Sequence, residues 1–209
     1  MGFLHFITGP VSSGKTIDLL MKAHNLEKIH GKNSVKIMKP SFDTRAGFDK
    51  ISSSIGISKT ADFIIEYNQQ IDFNQFQPSS FLFVDEIQFY KPCFIKWLRE
   101  LSIKKDVNIY CYGLMKDFRN ELFETAGELT VLCDELITFK TFCHFCKLSG
   151  GNQVLRTANT NMKIIKSKEN EIIPTKEGHS KCVGGIEMFI PVCQECYFKS
   201  FISLKSINK

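Results

Sequence analysis

Gly9-Pro10-Val11-Ser12-Ser13-Gly14-Lys15-Thr16 constrains this chain more than any other stretch. It fits G-x-x-x-x-G-K-[ST], the pattern of a phosphate-cradling loop. Phe3 to Thr8, just before it, is rich in β-branched and aromatic residues and predicts a buried strand. Leu19, Ala23 and Leu26 after it recur at i, i+4, i+7 and predict one face of a helix. Strand, glycine-containing turn and helix are the context such a loop needs. Its backbone N–H groups then point into a concavity at the helix N-terminus, where an anion is favoured. Lys15 is placed to reach β- and γ-phosphates, and Thr16 to offer its hydroxyl to Mg²⁺.

The rest of the chain alternates strands and helices. Helix one should end near Gly31. Ser34 to Met38 predicts strand two, closed by Pro40, and a polar loop runs from Ser41 to Lys59. That loop contains Asp43-Thr44-Arg45. Such a pair is either an ordinary surface ion pair or, in a doubly wound sheet, part of the ligand site at the carboxyl ends of the strands. Asp62 to Glu66 predicts a short strand, and Gln69 to Gln77 a short helix. Phe81-Leu82-Phe83-Val84 is an apolar run closed by Asp85-Glu86. This is how a buried parallel strand delivers a carboxylate to Mg²⁺. Asp85 is the candidate for the metal, and Glu86, pointing elsewhere, can act as a base.

Phe94, Trp97, Leu98 and Leu101 mark a helix over 91–104, with Trp97 in the core. Val107 to Tyr112 predicts a strand, Glu124 to Cys133 a helix, and Leu136 to Phe139 a last strand. Alternation of this kind implies a parallel sheet with helices on both faces.

Eight cysteines occur among 209 residues. The phosphate loop begins at Gly9, so a signal or transit peptide is not expected. Met1-Gly2 lacks the Ser or Thr that myristoylation needs, since Phe6 stands there. No apolar run reaches membrane-span length. A cytoplasmic protein is expected, and there the cysteines should be read for metal. Cys143-His144-Phe145-Cys146 and Cys193-Gln194-Glu195-Cys196 are two C-x-x-C knuckles. They can converge on one tetrahedral thiolate site, closed to water and therefore structural. Four separate thiols, or a redox pair, is the competing reading; His144 and His179 are alternative ligands. Zinc suits the donor set best, with iron also compatible. Cys93, Cys111, Cys133 and Cys182 stand singly. The segment between the knuckles, pinned at both ends, has the makings of a lid. These features divide the chain into residues 1–140, a nucleotide-binding α/β domain, and residues 141–209, a smaller metal-binding domain.

Net charge is +5, from 27 basic and 22 acidic residues, and the excess is scattered. That does not describe a nucleic-acid groove. A phosphate-loop ATPase with a zinc ribbon acting on nucleic acid is the alternative reading, and it needs a basic stripe. A non-catalytic nucleotide sensor would tolerate loss of Lys15, Asp85 or Glu86, and all three are present.

The ordered set GPVSSGKT at 9–16, FDTR at 42–45, FVDEIQF at 83–89, YGLMKDFRNELF at 112–123, the Cys143/Cys146 knuckle and VGGIEMFIPVCQEC at 183–196 resembles the type II thymidine kinases, the zinc-containing cellular and bacterial enzymes. The resemblance runs to about Phe198. It implies a RecA-like α/β domain, mostly parallel, with a small zinc-ribbon-like domain bearing a lasso loop. It implies transfer of the ATP γ-phosphate to the 5′-hydroxyl of thymidine or deoxyuridine, a homotetramer, and feedback inhibition by dTTP. By matched position Glu86 is the general base. Gly9, Pro10, Val11, Ser12, Ser13, Gly14, Lys15 and Thr16 line the phosphates and Mg²⁺. Asp43, Thr44, Arg45, Asp85, Ile87 and Gln88 lie on the same side. Phe89, Leu114, Phe118 and Phe123 match the wall around the thymine base. Ser180, Lys181, Cys182, Val183 and Gly184 match the lasso stretch whose backbone reads the base. Cys143, Cys146, Cys193 and Cys196 match the zinc ligands. The chain departs from the family pattern at Val11-Ser12, at Met115-Lys116, and at Phe189, where Tyr is usual.

Overall fold

The computed structural model describes residues 1–67, 69, 71–148, 156–167, 171–179 and 188–207. These pack as two compact units. The first comprises Met1–Thr8, Gly14–Met115 and Leu122–Thr138; the second comprises Gly9–Ser13, Lys116–Glu121 and Phe139–Lys209.

The first unit begins with β1 (Leu4–Thr8), α1 (Lys15–His30) and β2 (Val35–Pro40). A small antiparallel hairpin follows, β3 (Lys50–Ser52) with β4 (Ser58–Thr60). Then come β5 (Phe63–Ile65), β6 (Phe81–Val84), α2 (Pro92–Lys105), β7 (Asn108–Gly113), α3 (Glu124–Leu132) and β8 (Glu135–Thr138). Six strands form one sheet in the order β5-β2-β6-β7-β1-β8, every pair parallel. The expected α/β architecture is therefore present.

Parallel strands are covered on both faces, so their sequences run apolar rather than alternating. Leu4, Phe6, Ile7, Leu82, Phe83 and Val84 are all fully buried. On one face α2 and α3 supply Phe94, Ile95, Leu98, Leu101, Ala126 and Leu129 to a core with Leu4, Phe6, Leu82, Val84 and Ile109. On the other face lies α1, whose Asp18 accepts a 2.7 Å hydrogen bond from Tyr112 Oη of β7. Trp97 is buried among aromatics, as expected.

Two expectations need correction. The segment 41–59 is not wholly a loop, since it contains the β3–β4 hairpin. The side chains of Lys50 and Ser52 are exposed there, so no apolar alternation announces the strands. The helix expected over 69–77 reduces to a single 3₁₀ turn, Phe73–Gln75, capped by Asp72, whose side chain accepts from Asn74 N. The turn ends at Phe76, which is extended, and Pro78 disfavours helical backbone at Gln77 before it.

The second unit contains β9 (Thr141–Phe142), α4 (His144–Leu148), β10 (Thr157–Ala158), β11 (Thr160–Lys166), β12 (Ile172–Thr175), β13 (Phe189–Val192) and α5 (Gln194–Ile207). Its main sheet is antiparallel, β12-β11-β13. Met162, Ile164, Ile190, Val192 and Tyr197 form its core around Cys143 and Cys193. Among the described residues no helix is long and apolar enough to cross a membrane.

Candidate active site

The phosphate loop joins β1 to α1. Gly14 caps the helix in the left-handed conformation (φ 89°, ψ 7°), and Ser12 is left-handed too (φ 58°). Left-handed residues in such a turn direct successive N–H groups toward a shared concavity. Asn161 Oδ1 accepts the Val11 amide at 2.8 Å within the second unit. Lys15 opens α1 and is half-buried. Burial lowers its pKa to about 8, against the pull of the Glu86 and Asp85 carboxylates. Thr16 follows in the first turn.

The end of β6 carries the acidic pair. Asp85 is buried and accepts from the Glu86 amide at 3.0 Å. Burial, then the adjacent Glu86 charge, pushes its pKa up to about 7, with Arg45 opposing. A buried carboxylate short of positive charge at the end of a parallel strand fits a divalent cation. Glu86 holds a left-handed backbone (φ 49°, ψ 45°). That conformation costs a non-glycine residue about 1–3 kcal/mol and survives only where its surroundings impose it. Here Arg45 donates to Glu86 Oε1, and Gln88 Nε2 donates to Oε2 at 2.7 Å. Arg45 also grips Asp43 through a two-pronged contact, Nε to Oδ1 and Nη2 to Oδ2, both 2.8 Å. Burial alone would raise the Asp43 carboxyl; the Arg45 hydrogen bonds and charge outweigh it and hold it below the usual range. Thus Lys15, Asp43, Arg45, Asp85 and Glu86 form one cluster. Two cations face three carboxylates there, an arrangement able to bind a polyphosphate only together with further positive charge.

The residues matched to the base wall fall into two sets. In the first unit Phe89 and Phe123 meet edge-on at 6.1 Å, with Phe42 on Phe89 at 5.2 Å. Leu114 packs at the edge of the same core. In the second unit Phe118 and Phe189 lie 5.9 Å apart, both buried. Ser180, Lys181, Cys182, Val183 and Gly184 lie outside the described residues.

Cys143, Cys146, Cys193 and Cys196 converge, with their four sulfurs within 4.8 Å of one another. Cys146 Sγ stands 3.6 Å from Cys196 Sγ and 3.9 Å from Cys193 Sγ. Four thiolates about 2.3 Å from a tetrahedral zinc would sit about 3.8 Å apart, so the cluster fits that ion. Burial opposes ionisation of Cys143, but the Cys146 and Cys193 amides outweigh it and bring its pKa down to about 7.

Three contributors were not foreseen from sequence. Lys39 is fully buried on β2, where its ammonium donates to the carbonyls of Lys50 (2.8 Å) and Gly47 (3.1 Å). It thereby anchors the loop bearing Asp43 and Arg45. Asn161 and Asn120 join the second unit's turns; Thr160 donates to Asn120 Oδ1, and Asn120 Nδ2 reaches Gln194 Oε1 at 3.3 Å. An apolar run such as Ile37-Met38 gives no sign that the next lysine is buried.

Comparison with known proteins gives a consistent picture. The family model described as thymidine kinase matches residues 2–197. A protein named thymidine kinase from Streptococcus gordonii is 35% identical over 205 residues, covering 97% of this chain and 100% of that protein. Its namesake from Lactococcus lactis is 35% identical over 201 residues, covering 95% and 98%. That of Enterococcus faecalis is 34% identical over 200 residues, covering 95% of each.

Proposed function

The chain belongs to the thymidine kinase family, and from that premise we propose that Glu86 is the general base of ATP-dependent thymidine 5′-phosphorylation. The observation that carries this is the Lys15–Asp85–Glu86 cluster at the carboxyl ends of β1 and β6. Phosphoryl transfer passes through a loose transition state, so positioning and charge neutralisation do most of the work. Mg²⁺, when bound with ATP, would neutralise the phosphate oxygens. Asp85 and the Thr16 hydroxyl would hold that ion. The loop amides from Gly9 to Thr16 would cradle the phosphates, and Lys15 would reach the β- and γ-phosphates. Arg45, already facing Glu86, can turn one N–H toward the transferred group. Glu86 Oε1 or Oε2 accepts the proton of the nucleoside 5′-hydroxyl as the new P–O bond forms.

Phe89, Leu114 and Phe123 would offer apolar surface to a flat base, and the sequence resemblance alone assigns Phe118 and Phe189 to the same role. The lasso backbone, residues 180–184, would read its edge. Shape then excludes purines, and deoxyuridine is accepted beside thymidine. The four cysteines hold zinc as a structural cross-link. The sequence resemblance further supports a homotetramer in the cytoplasm, feeding nucleotide salvage and inhibited by dTTP, with no role for nucleic acid. It also supports the division into residues 1–140 and 141–209 as functional domains.

Glu86→Gln tests this reading. ATP binding should be retained and turnover should fall by about 10²-fold or more, the range for a positioned base. Unchanged turnover removes Glu86 from the chemistry.

A further inference from the structure

Gln88 links the ends of two neighbouring strands. It lies in the 3₁₀ turn Ile87–Phe89 just beyond β6 and is 2% exposed. Its Nε2 donates to the Glu86 carboxylate at 2.7 Å, and its Oε1 accepts the Leu114 amide, just beyond β7, at 2.9 Å. The orientation of the side-chain amide is set by chemistry. A backbone N–H can only donate and an ionised carboxylate can only accept, so one orientation alone satisfies both.

Gly113 makes room for this bridge. A Cβ at that position would lie 2.3 Å from Gln88 Oε1, 2.7 Å from Ile87 Cγ2 and 3.1 Å from the Ile87 amide nitrogen. Glycine is thus needed at the end of β7 for a steric reason. In the parallel register Gly113 sits opposite Thr8, the residue before the phosphate loop.

We propose that Gln88 is a positioning residue that fixes the Glu86 carboxylate relative to Leu114, and so relative to the nucleoside. This rests on Glu86 being the general base. A glutamate has three side-chain torsions and would otherwise sample several positions. A misplacement of about 1 Å in a reacting group can cost about 10²-fold in rate. Arg45 holds the other carboxylate oxygen, but its side chain is 41% exposed and lies on a loop, so it can turn away when phosphates arrive. Gln88 is enclosed where the strands end and stays. Both its polar atoms are engaged, so it contributes to the phosphate side through Glu86 and not by direct contact.

The test compares wild type, Glu86→Gln, Gln88→Met and the double variant, with saturating Mg²⁺·ATP and thymidine. Gln88→Met keeps the side-chain length and removes both hydrogen bonds. It should lower kcat about 10- to 100-fold, with KM for ATP and thymidine within about two-fold, as expected when only the transition state loses. In the Glu86→Gln background the same change should cost nothing further, because no base remains to be placed. Gln88→Glu is the second variant: it still accepts from Leu114 but donates nothing to Glu86, and it should show the same kcat loss. Gly113→Ala, displacing Gln88 from the other side, should do likewise. An unchanged kcat in Gln88→Met and Gln88→Glu overturns the proposal while leaving the base intact. An equal loss in both backgrounds also overturns it, since that is general structural damage. Full turnover in Glu86→Gln removes the base reading and the positioning role together.

Discussion

Arg45 donates through Nη2 to Glu86 while its Nε and Nη2 also close on both carboxylate oxygens of Asp43. A single guanidinium therefore ties the 43–45 loop to the end of β6, and planar bidentate geometry is what a lysine cannot reproduce. Arg45→Lys and Arg45→Ala should both weaken ATP use and lower kcat. Arg45→Ala should also reduce unfolding stability by about 1–2 kcal/mol. This is below the 3–5 kcal/mol of a fully buried broken pair because Arg45 is partly solvated. Chemical denaturation of the three proteins checks this, and equal stability of all three would contradict it.

The Asp43 carboxyl predicts a pH signature. Its folded pKa lies below the unfolded value. The group therefore adds stability above the unfolded pKa of about 3.9 and loses it as pH falls through the lower folded value. Wild type should exceed Asp43→Asn in denaturation midpoint at pH 6, and the gap should shrink toward pH 3. Midpoints measured at both pH values decide it; a gap independent of pH means that the Arg45 pairing does not stabilise the fold.

Metal removal should unfold the second unit selectively. Cys143 and Cys193 sit inside its core, so loss of a zinc cross-link leaves buried thiols that the core was built around. Protein prepared without chelator should carry about one zinc per chain, as one Cys₄ site requires. Cys193→Ser should lose the metal and the cooperative melting of that unit. Less than half an equivalent of zinc in wild type would count against the site.

Phe189 is buried beside Phe118, and by the sequence resemblance it stands where a Tyr hydroxyl is expected. Phe189→Tyr should lower KM for thymidine with little change in kcat. One neutral hydrogen bond is worth about 0.5–1.5 kcal/mol, or about two- to thirteen-fold in affinity. A raised KM would show that the added oxygen is buried without a partner.

Much of this architecture was legible beforehand, and for physical reasons. Phe81 to Val84 reads as a buried strand because parallel strands are covered on both faces and must be apolar throughout. The C-x-x-C pairs announce their convergence because thiolate spacing is local chemistry. The β3–β4 hairpin was hidden because its exposed Lys50 and Ser52 match loop composition. Lys39 and Asn161 were hidden for another reason: each is a polar side chain whose partner lies on a distant stretch of chain, and no local pattern marks such a pairing. Gln88 stood in a recognisable motif, yet its bridge to Leu114 depends on the missing side chain at Gly113.

The most direct measurement is nucleoside phosphorylation. Purified protein with ATP and Mg²⁺ would be given thymidine, deoxyuridine, deoxycytidine, deoxyadenosine and deoxyguanosine in turn, and the monophosphates separated and counted for wild type and Glu86→Gln. Product is expected from thymidine and deoxyuridine alone, and is lost in the variant. Product from purine nucleosides, or undiminished dTMP formation by Glu86→Gln, would contradict it.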